Sequence, residues 1–453
     1  MSTSDSAIII GASIAGLLTA RVLAPHFKEV LILERDSLPE QAVYRTGTAQ
    51  AQHAHILLRR GLLGLETLLP GYTQNLLDAG AVMTNASRDW YNFFPMGAFP
   101  NFDSDYEFIC ASRPLIEHTL RNTLLKQFSN VTIREQCIVN SVQFSAEHAP
   151  LLIFTERENK AEELRLTADL IADASGRNSH TPTWLQQQGY GKTRTTQVKP
   201  WLGYSTRLYN KTTLPPGIRA AIIMAKDPHI TRGGVLFPIE KGQYICTLYG
   251  FSKDYPPTDE PGFTNYAKSL RSEIIYNALS EANPLTSPKA FVKNECAYHH
   301  FAEHKRWPHG FLVMGDAVCS FNPIYGQGIT SSVMAAQSLQ KLLINGRPEN
   351  SHWSKTAQRK IVKSYQYPWM IATNEDLRWP KTEGSSGGLL VSVMHHFTNW
   401  IGLVATRNSA IAYTYIQVLH MTSTPAALLT PSSLMRLLQD GLRQAIAYLT
   451  IKR

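Results

Sequence analysis

The opening of this chain leaves few folds open to it. Residues 7–10 are an unbroken apolar run, the pattern of a central parallel strand covered on both faces. The turn GASIAG follows (Gly11, Ala12, Ser13, Ile14, Ala15, Gly16), then a helical period through Leu17, Leu18, Ala20, Val22 and Leu23 that stops near Pro25. A second apolar run, 30–33, ends at Glu34 with Arg35 behind it. This is a βαβ unit with a dinucleotide's requirements built in. Backbone N–H groups at a helix start hold a pyrophosphate, Gly11 permits the tight turn, and Gly16 lets helix and strand pack closely. Ser13 stands where a middle glycine is usual, and its hydroxyl is small enough to be tolerated there. Glu34 lies 23 residues after Gly11, where a carboxylate binds ribose hydroxyls.

The remaining 400-odd residues bound the reading further. A chain of 453 residues predicts two or three domains. With 43% hydrophobic and 17% charged residues it has ample core to bury and is not a disordered chain. The net charge of +9 is spread without a dense Lys/Arg block, which argues against nucleic acid and fits a phosphate-bearing cofactor. Five scattered cysteines, none in a C-x-x-C pair, predict neither a zinc site nor disulfides and point to a reducing, cytoplasmic setting. The paired histidines (His53 and His55, His299 and His300, His395 and His396) have no carboxylate or cysteine at ligand spacing, so no metal is expected.

Two later motifs carry chemistry. DASGRNS (173–179) follows an apolar run and brings Asp173 to a strand end. GDAVCSFNPIYGQGIT (315–330) delivers Asp316 from a strand into a loop with Pro323, Gly326, Gln327, Gly328 and Ile329, backed by a helix. That arrangement offers an acid for a sugar hydroxyl and a second set of backbone donors at a helix start. Between the motifs, strands are expected at 151–154 and 164–171, a hairpin at 235–249, one helix at 263–279, a strand at 311–314 and a helix from about 330 to 344. Beyond Gly346 the period is helical, with breaks expected at Pro368, Pro380, 384–388, Pro425 and Pro431.

The trio of motifs resembles the FAD-dependent monooxygenases of the aromatic-hydroxylase type, and most closely their squalene-epoxidase-like and polyether-pathway epoxidase members. RTGTAQAQHAHILL (45–58), SRPLIEHTLR (112–121) and PWMIATNEDLRWP (368–380) extend the match to residues 1 to about 380. The resemblance implies an α/β fold of mixed α+β character: a Rossmann-like FAD-binding lobe of glutathione-reductase type, an interleaved sheet-rich substrate lobe and a helical C-terminal region. The FAD lobe would comprise 1–59, 105–185 and 296–345, the substrate lobe 60–104 and 186–295, and the helical region 346–453.

Residue by residue, it implies that the 11–16 turn holds the FAD pyrophosphate and that Glu34 and Arg35 meet the adenosine end. Arg45, Gln50 and Arg113 would reach the flavin or its phosphates. Asp173, in a departure from the family's Asp-Gly pair, would lie nearby. Asp316 would bind the ribityl chain, with Pro323, Gly326, Gln327, Gly328 and Ile329 against the flavin ring. The implied reaction is insertion of one atom of O₂ into an apolar substrate through a flavin C4a-hydroperoxide, as alkene epoxidation in secondary metabolism. NAD(P)H, directly or through a separate flavin reductase, would supply electrons. No catalytic side chain can be named from the sequence.

Aromatic hydroxylation, isoprenoid reduction or desaturation, and halogenation are the alternatives, although the W-x-W-x-I-P stretch of flavin halogenases is missing; a non-catalytic flavoprotein ranks last. Trp90, Tyr91, Phe93, Phe94, Phe99, Phe102, Trp201, Tyr204 and Trp369 are as a set expected near an apolar substrate. A stripe of Leu434, Leu438, Ala445 and Leu449 predicts an amphipathic C-terminal helix, packed on the protein in preference to lying at a membrane surface.

Overall fold

Ser6–Ile10 forms the middle of a five-stranded, all-parallel sheet, as its two-sided burial requires. The order is Phe311–Val313, Leu170–Asp173, Ser6–Ile10, Glu29–Leu33, Val131–Arg134. The computed structural model describes residues 5–440 apart from 146–147, 159–161, 294, 345, 347–349 and 385–387. Helices Ile14–Leu23 and Gln327–Leu343 lie against each other beside this sheet, and both start next to its strand ends. Ile8, Ile9, Leu17, Leu18, Leu312 and Val333 are all but inaccessible in the layer between them. Each such side chain stabilises by about 1.5–3 kcal/mol before chain entropy is subtracted.

The second layer is a seven-stranded mixed sheet, ordered Lys289–Lys293, Leu202–Tyr209, Tyr244–Gly250, Arg232–Pro238, Ala220–Ile223, Trp90–Phe94, Gly97–Ala98. Its hairpin turns at Glu240–Gly242, where Lys241 and Gly242 both take positive φ (61° and 67°). That is the chemistry a tight antiparallel connection demands. Helix Arg59–Leu68 packs on Gln327–Leu343, where Gly64 lies against Val333.

Four expectations about local structure need correction. The run 164–171 is two strands: Glu163–Thr167 pairs antiparallel with Leu151–Glu156, while Leu170–Asp173 joins the parallel sheet. Asp169 makes the switch, its carboxylate accepting from Ser6 N–H at 3.1 Å. The helix expected at 263–279 is likewise two, Glu260–Lys268 and Ile274–Ser280. Arg271, between them, donates to the Phe94 carbonyl and covers the Phe93 ring. The helix after the second glycine loop starts at Gln327, three residues earlier than expected, which places Gly328 in its first turn. Pro368 does not break a helix; it sits inside Ser351–Asp376, whose buried face (Ile361, Val362, Tyr365, Ala372) outweighs one lost hydrogen bond.

At the C-terminal end Leu434 and Leu438 are exposed while Ser433 and Leu437 are buried, so the packed face is not the expected stripe. Ala445 and Leu449 lie outside the described residues. No described helix is long and apolar enough to cross a membrane.

Candidate functional site

Two helix starts converge on one cavity of about 600 Å³. Gly11 leaves the central strand with φ +99°, and a Cβ there would meet the Ala174 carbonyl oxygen at 2.8 Å. Gly16 is more constrained: its Cβ would lie 1.8 Å from the Gly11 carbonyl oxygen. The first helix can therefore sit this close to the turn only with glycine at both positions.

Fourteen of the residues singled out from the sequence line this cavity: Gly11, Ser13, Ile14, Ala15, Glu34, Arg35, Arg45, Gln50, Arg113, Asp316, Pro323, Gly326, Gly328 and Ile329. They come from segments more than 300 residues apart. Four do not line it, each for a physical reason. Ala12 contributes its N–H to Glu34 Oε2 at 2.7 Å. Gly16 lies beneath the turn as a packing residue. Asp173 is fully buried and accepts from Ser175 N–H, Ser179 Oγ and Thr181 Oγ1, so it shapes its own loop and leaves Ala174–Asn178 to face the cavity. Gln327 turns inward, away from the space bordered by its neighbours Gly326 and Gly328.

Sequence reasoning missed Glu117. It is a turn beyond Arg113 on the Arg113–Gln127 helix and accepts from Ser13 Oγ (2.7 Å), Arg113 Nη2 (3.0 Å) and Arg45 (3.1 and 3.0 Å). Arg45 also reaches Glu34 and Asp36, at 3.1 and 2.8 Å. Burial opposes the charge on Glu117, but the guanidiniums of Arg113 and Arg45 and the Ser13 hydroxyl outweigh it and hold the carboxyl below its ordinary range. The only prior signal was an acid four residues after Arg113. The Ser13 hydroxyl donates to Glu117 and accepts from Arg113 Nη2.

At the other end, Asp316 is half-exposed to the cavity and paired with Arg177 at 3.7 Å, while Gly315 N–H is fixed by Tyr365 OH at 2.8 Å. The 322–326 loop is held from below by a carboxylate: Asp376, fully buried, accepts from Asn322 Nδ2 (2.7 Å) and Tyr325 OH (2.9 Å). Asn322 Oδ1 in turn accepts from Tyr204 OH of the seven-stranded sheet at 2.9 Å. The 368–380 motif thus braces the loop against both layers.

A smaller pocket of about 40 Å³ continues past this loop, sharing Gln50, His55, Ile56, Phe291, Pro323 and Gly326 with the large cavity. Its far wall is the seven-stranded sheet, through Tyr204, Ile222, Val235, Thr247 and Tyr249. Of the nine aromatic residues expected around a substrate, Tyr204 alone lines it; Trp90, Phe94 and Phe99 are core.

The residues present fit FAD. Arg113, on the cavity wall, has a buried Nη1 with no partner among the described residues, as a phosphate-binding cation would. A Cβ at Gly328 would meet nothing within 4 Å, so its place in the cavity is open to a flat ring.

The comparisons agree. A family model described as FAD binding domain matches residues 5–366. Protein Rv3254 of Mycobacterium tuberculosis (strain ATCC 25618 / H37Rv) is 30% identical over 404 residues, 84% of each chain. Among solved structures, the flavin-dependent brominase Bmp2 superposes with a TM-score of 0.65 at 13% identity over 100% of both chains. The p-nitrophenol 4-monooxygenase PnpA of Pseudomonas putida DLL-E4 gives 0.63 at 15% identity, covering 92% of this chain and 97% of its own. The fold is thus that of flavin-dependent hydroxylases and halogenases; neither the glutathione-reductase type nor the squalene-epoxidase-like subgroup is singled out. With the family match spanning most of the chain and a cavity built to its cofactor, this protein belongs to the FAD-binding domain family and is an FAD-dependent oxidoreductase.

Proposed function

We propose that this protein is a monooxygenase that places one oxygen atom from O₂ on an electron-rich carbon of a small hydrophobic substrate, by ring oxygenation in preference to alkene epoxidation. The observation that carries this is the small pocket, walled by aromatic and aliphatic side chains and opening on the 323–326 loop where the flavin ring would lie. Bound FAD supplies the capacity to take electrons, from NAD(P)H or a partner reductase, and to activate O₂. The chain's own residues do the rest. The 11–15 turn, Arg45 and Arg113 would hold the pyrophosphate, Glu34 and Arg35 the adenosine end, and Asp316 the ribityl chain. Pro323, Gly326, Gly328 and Ile329 would present backbone to the ring edge, while Gln50, Ile56 and Phe291 keep water from the reacting face. In this reading the FAD lobe is 1–59, 105–185 and 296–345, and the substrate lobe 60–104 and 186–295.

Ring oxygenation is preferred because the structural relatives with assigned chemistry include a phenol monooxygenase and a brominase. The chain lacks the tryptophan motif that the notion of a halogenase would require. The test is anaerobic reduction of the FAD-loaded protein, followed by mixing with O₂ in a stopped-flow spectrometer. A transient whose absorbance is neither that of reduced nor of oxidised flavin is expected, lengthened when water is excluded by an aromatic ligand. Single-phase reoxidation, with peroxide as the sole product for every aromatic tested, would overturn the reading.

A further inference from the structure

Resting on that reading of the small pocket, one polar device in its wall is left unused. His53 is buried beside the rings of Phe291 and Tyr204, with centroids 5.4 and 6.1 Å away. Its Nδ1 lies 2.7 Å from Thr206 Oγ1, which lies 2.7 Å from Thr247 Oγ1, which accepts from Ala54 N–H at 3.0 Å. The chain can be polarised in two directions. Were Nδ1 to donate, Thr206 would pass its hydrogen to Thr247, and the Thr247 hydrogen would have no acceptor among the described residues. In the other direction Thr247 donates to Thr206 and Thr206 to Nδ1, and the hydrogen left over is the imidazole's own, on Nε2. Leaving a donor unpaired in the core costs more than a typical hydrogen bond contributes; the Thr247 hydroxyl is buried, whereas Nε2 is not fully enclosed and His53 lines the pocket, so the second direction prevails. It makes Nδ1 an acceptor and puts the ring's hydrogen on Nε2, on the opposite edge, which has no partner among the described residues. Burial also holds the ring neutral, with its pKa down at about 4, so it is a poor base for a substrate hydroxyl.

We infer that His53 is a substrate-recognition residue that donates Nε2–H into the small pocket, and that the substrate presents a carbonyl oxygen to it on an otherwise hydrophobic, planar body. The threonine pair sets the tautomer. A ligand whose only oxygen is a phenolic hydroxyl gains less, because that oxygen's lone pair is delocalised into the ring and accepts more weakly than a carbonyl. A carbonyl elsewhere on that body would also be oriented by this bond, the electron-rich carbon held at a fixed distance from the 323–326 loop.

The test uses the FAD-loaded protein and two matched probes, 1-indanone and indane, titrated by perturbation of the flavin absorbance. The bound ketone's carbonyl stretch is read in parallel by infrared difference spectroscopy. Wild type is expected to prefer indanone roughly three- to ten-fold, the worth of one neutral hydrogen bond, with the stretch moved to lower wavenumber. H53F abolishes both effects, H53Q keeps them, and T206V reduces them by freeing the tautomer. Equal affinity for the two probes, failure of both to bind, or an unmoved preference in H53F overturns the inference. Flavin content and the oxygen reaction measured in the same samples separate that failure from failure of the monooxygenase reading. A protein that holds FAD and shows the oxygen transient but ignores the carbonyl refutes only the role of His53.

Discussion

Replacing Gly328 by alanine should move stability and cofactor affinity in opposite directions. Gly328 is in the first turn of Gln327–Leu343, without positive φ, and a Cβ there meets nothing within 4 Å. In the FAD-free protein the methyl is therefore unopposed, and exchanging glycine for alanine in a helix stabilises by about 0.5–1 kcal/mol. In a chain this long that raises the melting midpoint by only about 1 °C. The same methyl projects into the cavity where the flavin ring would pack. Overfilling a fitted site costs about 1–3 kcal/mol, which corresponds to FAD binding weaker by roughly five- to a hundred-fold. Thermal melts of apo-protein and titration of apo-protein with FAD, followed by quenching of flavin fluorescence, read the two effects separately. An unchanged FAD affinity in Gly328→Ala would refute the placement of the ring against this helix start.

Other predictions follow from the same geometry. Gly16→Ala, with a Cβ 1.8 Å from the Gly11 carbonyl oxygen and 3.4 Å from the Ile9 side chain, should destabilise the apo-protein by about 3 kcal/mol or more and lower FAD content together with it. Melting and the ratio of flavin to protein absorbance check both, and normal values for both would contradict the packing. Asp316→Ala should sharply weaken FAD retention while changing apo-protein stability by less than about 1 kcal/mol, because its partner Arg177 is itself partly exposed. Equilibrium dialysis decides the point.

Acid should destabilise the protein through His53, His55 and His420. Burial holds the first down at about 4, His55 at about 3, and His420, wedged beside Tyr106 and Phe108, at about 3. Their ordinary value is 6.5, so the unfolded chain takes up protons first as the pH falls. Stability should be level above pH ~7 and decline as pH drops through about 6.5 toward 4, by roughly 1 kcal/mol per histidine for each unit. His420→Gln, which keeps an acceptor for Arg59 N–H, should remove about a third of that slope in urea melts. An unaltered slope would show that His420 is not the group responsible.

Much of the site was legible because its signals are local. A strand, a glycine turn and a helix need only neighbouring residues, so Gly11, Glu34 and the 323–328 loop could be named from spacing and turn chemistry. The hairpin at Glu240–Gly242 was legible for the same reason. Where local rules failed, tertiary contacts had overruled them. Pro368 stays helical because its helix is gripped by the core, and the run at 164–171 divides because Asp169 is drawn to Ser6 of a different strand.

What the sequence alone determined is the pair of helix starts and the glycines without which neither could approach a cofactor. Only the folded chain decided that they face one cavity, that Glu117 stands between Arg45 and Arg113, that Asp376 underpins the 322–326 loop, and that His53 meets Thr206 across 153 positions. Turn geometry is written in consecutive residues. A charge cluster or a hydrogen-bonded chain depends on which strands lie side by side, and that order is fixed by the burial of two whole sheets.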